Sequence, residues 1–190
     1  MVSPLEMIRS FIAFDMDDKS ILRNFSKVQD MLVGTKADLK MVKPENIHIT
    51  LRFLGNIQPS LVDEIYREME KIEFAPFDIE IKGLGVFPNL RYIRVIWAGI
   101  QIGADNLSSI FNQLEPGLRQ LGFKPDYKGF SPHITIARVQ TNRHKDELVK
   151  CIQEMASYEF GIVKAKCLRL KRSILAPKGP IYSVLKETCR

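Results

Sequence analysis

The sequence predicts an α+β fold made of two similar lobes, and three observations carry that prediction. The word His48-Ile49-Thr50-Leu51 returns as His133-Ile134-Thr135-Ile136. Around both copies, apolar stripes at helical spacing alternate with short extended runs. The order helix, motif strand, helix, strand pair then occurs twice. Two equivalent lobes would bring the motif strands together at a pseudo-twofold axis. At 190 residues the chain can bury a good core, within the range of one domain or two small lobes.

Arg9 to Phe14 reads as a buried first strand. Asp17 or Asp18 then caps a helix with the stripe Ile21, Phe25, Val28 and Leu32. Leu39 to Val42 is a short strand and Pro44-Glu45-Asn46 a turn. The first motif strand runs to about Leu54, where Gly55-Asn56 breaks it. Ser60-Leu61-Val62-Asp63 resembles a capping box, opening a helix with the stripe Val62, Ile65, Met69 and Ile72. Phe77 to Lys82 alternates as a half-buried strand, Phe87-Pro88-Asn89 turns the chain, and Tyr92 to Trp97 is a strand rich in β-branched and aromatic residues. A long connection is expected around Ile100 to Asp105.

The order then repeats. Leu107, Ile110, Phe111, Leu114, Leu118 and Leu121 form a helical stripe closed by Gly122, with Pro116 expected to kink or divide it. Tyr127 to Pro132 leads into the second motif strand, which extends through Val139. Leu148, Ile152 and Met155 mark a helix begun at Thr141 or Asn142. Phe160 to Leu170, Ser173 to Ala176 and Ile181 to Leu185 are the final strands, with Pro177-Lys178-Gly179-Pro180 as a turn.

In an extended strand, side chains at i and i+2 share a face. Each copy of the word therefore presents one imidazole beside one hydroxyl. Ile49, Leu51, Ile134 and Ile136 turn the other way, into a core. If the two copies face each other across a cleft, they offer two groups that titrate near neutrality and two hydroxyl donors. That set suits acid–base chemistry on a phosphate. The net charge of +6 favours an anionic partner.

Other chemistries fit less well. Zinc sites need three or four protein ligands, and no Asp, Glu or Cys stands at i+2 or i+4 of either motif histidine; no metal is expected. The third histidine, His144, lies in a charged stretch and reads as solvated. There is no G-x-S-x-G elbow, and Gly83-Leu84-Gly85 is too short for a phosphate loop. Cys151, Cys167 and Cys189 are widely spaced and read as reduced thiols. No apolar run approaches the roughly 20 residues of a membrane span. Met1 to Met7 lacks a basic region followed by an apolar stretch, so it does not read as a secretory signal. The expected location is the cytoplasm, with no membrane association.

The paired words resemble those of the two-histidine phosphoesterase superfamily. Arg9-Ser10-Phe11-Ile12-Ala13, His48 to Gly55 and Phe130 to Arg138 narrow the resemblance to the RNA 2′,3′-cyclic phosphodiesterases, once called 2′-5′ RNA ligases. Phe87-Pro88 and Arg94-Val95-Ile96-Trp97 also fit. The resemblance spans nearly the whole chain. It implies one bilobal unit over residues 1–190, with motif 1 at 48–51 and motif 2 at 133–136. Each lobe would be an antiparallel sheet with helices on the outside, and a cleft between the lobes would carry both motifs.

The activity implied is opening of an RNA terminal 2′,3′-cyclic phosphate to a 2′-phosphomonoester, with no cofactor or metal. RNA with such an end, or a cyclic nucleotide, would be the partner of a monomer. The alternatives are 2′-5′ RNA ligation, as on tRNA halves, and a non-catalytic RNA- or nucleotide-binding module. By the resemblance His48 is the proton donor and His133 the acceptor; the repeat itself does not distinguish them. Thr50 and Thr135 would bind the phosphate. Strand periodicity puts Arg52 on the face of His48 and Thr50. The same count puts Arg138 on the far face of its strand, yet the resemblance makes it a substrate contact; a bulge would reconcile the two. Phe130, Phe87 and Tyr127 are candidates to stack on a base.

Overall fold

The computed structural model describes residues 6–127, 129–177 and 179–190. The amino-terminal reading over Met1 to Leu5 and Lys178 of the expected turn lie outside the described residues.

Among the described residues, nine strands and four α-helices follow one another as β1 (Ile8–Asp15), α1 (Lys19–Gly34), β2 (Leu39–Met41), β3 (His48–Ile57), α2 (Leu61–Glu70), β4 (Phe77–Asn89), β5 (Tyr92–Ile100), α3 (Ala104–Gln120), β6 (His133–Val139), α4 (Lys145–Glu154), β7 (Glu159–Ala165), β8 (Cys167–Ala176) and β9 (Gly179–Cys189). A 3-10 turn, Pro44–Asn46, precedes β3. All pairings are antiparallel, in the order β7-β4-β5-β6-β3-β1-β8-β9, with β2 also on β6.

That order is symmetric about the β3–β6 junction. One lobe is β3-β1-β8-β9, packed by α2 and α3; the other is β6-β5-β4-β7 with β2, packed by α1 and α4. The two lobes and their outer helices are as expected, but they are not the two halves of the chain. β4, which follows α2, joins β5 in the second lobe, and β8 returns to pair β1 in the first. The anticipated long connection at Ile100 to Asp105 is correspondingly short, because α3 starts at Ala104.

Helix α1 begins where its cap can form: Oδ1 of Asp18 accepts from the backbone N–H groups of Ser20 at 2.8 Å and Ile21 at 3.0 Å. Its stripe Ile21, Phe25, Val28 and Leu32 is buried. At α2 the capping box does not form, since Ser60 is itself helical and makes no side-chain cap bond. Gly55 does not end β3; with φ +74 it sits within the strand, which runs on to Ile57. Likewise β4 continues through Gly83 and Phe87 to Asn89. Pro116 lies inside one assigned helix, and the stretch Phe160 to Leu170 is two strands, β7 and β8. α4 starts later than the sequence suggests, after His144 in a left-handed conformation.

Cys167 and Cys189 correct the expectation of three reduced thiols. They are opposite partners in the β8–β9 hairpin and form a disulfide, leaving Cys151 as the free thiol. A separation of 22 residues hides this pairing from spacing arguments; the hairpin register creates it.

The lobes meet where β3 and β6 share one paired position among the described residues, Ile49 opposite Ile134. Both are fully buried. Truncating either to alanine should cost about 2–5 kcal/mol of stability by opening a cavity on the helix side. Urea denaturation of Ile49→Ala and Ile134→Ala would measure it.

Candidate active site

The two motif strands are placed by the same register. In β1–β3, Asp15 faces His48, Ala13 faces Thr50, Ile12 faces Arg52 and Phe11 faces Phe53. In β5–β6, Gly99 faces His133, Trp97 faces Thr135, Ile96 faces Ala137 and Val95 faces Arg138. Each ladder skips one motif-strand residue at the same place, Leu51 in one and Ile136 in the other. A bulge of this kind reverses which face later residues take.

The bulge decides the two arginines. Before it, His48, Thr50, His133 and Thr135 lie on the face away from the helices, each half-buried, while Ile49, Leu51, Ile134 and Ile136 are buried. After it, Arg138 returns to the histidine face and is exposed. Its charge acts on both His133 and Tyr182, so it stands between the lobes. Arg52 goes the other way, which corrects the simple count. It is buried on α3, with Nε donating to Oε1 of Glu115 at 2.6 Å and its Nη atoms donating to the carbonyls of Phe53 and Lys124. The counterpart of Arg138 in the first copy is therefore Phe53, 62% exposed, which the sequence reading missed.

Phe130 is also placed elsewhere. It stacks on Phe111 of α3 at 5.0 Å, with ring planes 11° apart, and packs against the core. Phe87 meets His133 edge-on at 5.0 Å and Trp97 at 5.2 Å, so it walls the histidine. Tyr127 is almost fully exposed.

The hydrogen bonds fix both imidazoles. Nδ1 of His48 lies 2.6 Å from the carbonyl of Asn46, and Nδ1 of His133 lies 2.7 Å from that of Ser131. A carbonyl can only accept, so Nδ1 carries the proton in each ring and Nε2 faces the site. Nε2 of His48 accepts from the hydroxyl of Thr50 at 2.9 Å. Asn46 is itself anchored, its Nδ2 donating to the carbonyl of Pro180 at 2.9 Å. Phe11 at 5.0 Å and Tyr182 at 5.3 Å flank the His48 ring.

Burial pushes the His48 pKa down to about 4; the Lys171 ammonium and His133 add to the depression, against the Asn46 carbonyl and the Asp15 carboxylate. Burial also lowers His133, with Arg138 acting in the same direction and the Ser131 carbonyl against it. His133 is among the groups that lower His48, as expected of two rings carried on strands that pair at Ile49 and Ile134. Among the described residues, the one cluster of three side chains of metal-ligand type is Cys167, Glu187 and Cys189, whose two sulfurs are already joined in the disulfide, and neither motif histidine belongs to it.

Comparisons with known proteins bear on the family and the fold. The LigT-like phosphoesterase model matches residues 17–97 and again 101–182. The chain belongs to that family. It is 40% identical over 162 residues to an RNA 2′,3′-cyclic phosphodiesterase of Aeropyrum pernix, covering 85% of this chain and 92% of that protein. A second, from Methanothermobacter thermautotrophicus, is 36% identical over 179 residues, covering 93% and 95%. A crystal structure of a Thermus thermophilus protein superposes with a TM-score of 0.79 at 26% identity, covering 96% and 97% of the two chains. Escherichia coli LigT in complex with 3′-AMP has the same fold, with a TM-score of 0.74 at 21% identity over 97% and 98%.

Two outcomes are expected. A histidine depressed on folding takes up its proton more readily unfolded, so its contribution to stability is complete above about pH 6.5 and is lost as pH falls toward 4. Denaturation of wild type and His48→Gln at pH 7 and pH 5 should show the acid loss shrinking in the variant. Arg52→Met should destabilise by about 3–5 kcal/mol by stranding Glu115, whereas Arg138→Met should leave the melting temperature nearly unchanged.

Proposed function

We propose that this chain is a hydrolase that opens RNA terminal 2′,3′-cyclic phosphate to a 2′-phosphomonoester. The observation that carries the reading is the convergence of two H-x-T units, each with Nε2 and a hydroxyl on one face, beside Arg138. The names borne by the Aeropyrum and Methanothermobacter relatives support the substrate class.

A cyclic phosphodiester resists hydrolysis because water is a weak nucleophile and the departing alkoxide is basic. His133, neutral with a bare Nε2, takes a proton from water as the oxygen attacks phosphorus. His48 gives a proton to the 3′ oxygen as the P–O3′ bond breaks. Each such transfer is typically worth about 10²–10⁴ in rate. Thr50 and Thr135 donate to the non-bridging oxygens, and Arg138 supplies positive charge. His48 is neutral in the empty site at pH 7, so its acid role requires the bound phosphate anion, which favours imidazolium. The scheme needs no cofactor. The whole chain acts as one bilobal unit, since each lobe is completed by strands from both chain halves. We assign it to the cytoplasm as a monomer, where RNA ends are processed; among the described residues no helix is long and apolar enough to cross a membrane.

Incubation with nucleoside 2′,3′-cyclic phosphates in EDTA should yield the 2′-phosphate. His48→Ala and His133→Ala should each lose at least about 10²-fold in kcat, and the wild-type pH–rate profile should be bell-shaped. Near-wild-type turnover by either variant, or a 3′-phosphate product, would refute the scheme. Joining of tRNA halves into a longer RNA would identify ligation instead.

A further inference from the structure

The shared register makes the two motif histidines near equivalents, but the residues that face them across their ladders differ. Opposite His133 stands Gly99, which has no side chain; opposite His48 stands Asp15. Asp15 is held from two sides. Its Oδ1 accepts from Nζ of Lys171, and its Oδ2 accepts from Nη1 of Arg169 at 3.1 Å. Arg169 in turn reaches Asp17 at 2.9 Å and Glu187 at 3.1 Å.

Lys171 is 4% exposed, an unusual state for a lysine. It pairs with Phe11 across β1–β8, and its ammonium stands 5.7 Å from the Tyr182 ring centroid. Phe11 and Tyr182 are the two aromatic rings that flank His48. A buried ammonium and carboxylate side by side do not on balance stabilise a fold more than apolar residues of the same size would. Their place against one histidine and not the other points to work done on that histidine.

We propose that Asp15 and Lys171 are a positioning pair for His48, breaking the symmetry between the two histidines and making proton uptake by His48 conditional on the arrival of phosphate. The charged and titratable groups that face His48 are Asp15 from β1, Lys171 from β8, Tyr182 from β9 and His133 from β6. Asp15 favours imidazolium, but two cations share its charge. Burial first, and then the Lys171 ammonium, oppose imidazolium, so the empty site keeps His48 neutral. A phosphodiester anion between the lobes offsets that ammonium, and His48 can then hold the proton it must give up. His133 faces Gly99 instead and keeps a bare Nε2 for the attacking water.

The inference rests on the acid–base reading above, and its test needs no turnover. Proton NMR titration of the His48 and His133 rings would be run with and without sulfate, an oxyanion that mimics phosphate without titrating in this range. In the free wild type, His48 should titrate near pH 4, and sulfate should raise it. Lys171→Met should raise the free midpoint by about half a pH unit or more and shrink the sulfate response, leaving His133 in place. Lys171→Arg should restore wild-type behaviour, and Asp15→Asn should lower the midpoint. If Lys171→Met does not fold, Asp15→Asn compared with Asp15→Asn/Lys171→Met isolates the ammonium, because the double variant leaves no lone charge from this pair. An unchanged His48 midpoint, or equal shifts at His48 and His133, would overturn the proposal. The expected titrations together with near-wild-type hydrolysis by His48→Ala would count against the acid–base reading alone.

Discussion

The site depends on the burial of Ile49 and Ile134 at the seam between the lobes. A strand has only two faces, and these side chains hold the helix side completely. His48, Thr50, His133 and Thr135 therefore have no choice but the other face. Antiparallel pairing at that one position then sets the two words side by side and head to tail. The arrangement of the four motif side chains is thus a consequence of where apolar area is removed from water, with the hydrogen bonds from each Nδ1 to the carbonyls of Asn46 and Ser131 turning the rings afterwards.

Symmetry supplies a matched pair of imidazoles, and chemistry needs an unmatched one. The copies share their strand pairing, their bulge and the carbonyl partner of Nδ1. They diverge in what lines the walls. Phe87 and Trp97 enclose His133, and Gly85 leaves the room for that indole, since a Cβ there would fall 2.2 Å from the Trp97 ring. Phe11, Tyr182 and a buried charge pair enclose His48. The arginine on the site face belongs to one copy, with Phe53 in its place in the other. In the proposed mechanism, acid and base differ because the surroundings of two like residues differ.

Much of this was legible in the chain. The repeated word, the helical stripes and the alternation of Phe77 to Lys82 gave the elements and the face of each motif residue. What escaped had local causes. Parity counting assumes an unbroken ladder, so it sent Arg52 toward the site and Arg138 away; one skipped residue in each ladder reversed both. Phe53 was overlooked for the same reason. Phe130 looked available for stacking because nothing in the sequence announces Phe111 as its partner. The Cys167–Cys189 bond depends on hairpin register, and Lys171 on a contact between strands far apart in sequence. The exchange of β4 and β8 between lobes was equally hidden, since a repeat in sequence order does not reveal which copy's strand completes which sheet.

That exchange bears on how the polypeptide reaches its final form. β1 and β3 emerge early during synthesis, yet β1 lacks a neighbour on one side until β8 has been made. An unpaired inner edge would stay open until then, and a fragment lacking β8 would expose it permanently. The first lobe closes only when β8 and β9 arrive, so maturation of the first histidine's surroundings, including the carbonyl of Pro180 that anchors Asn46, waits for strands made more than a hundred residues later.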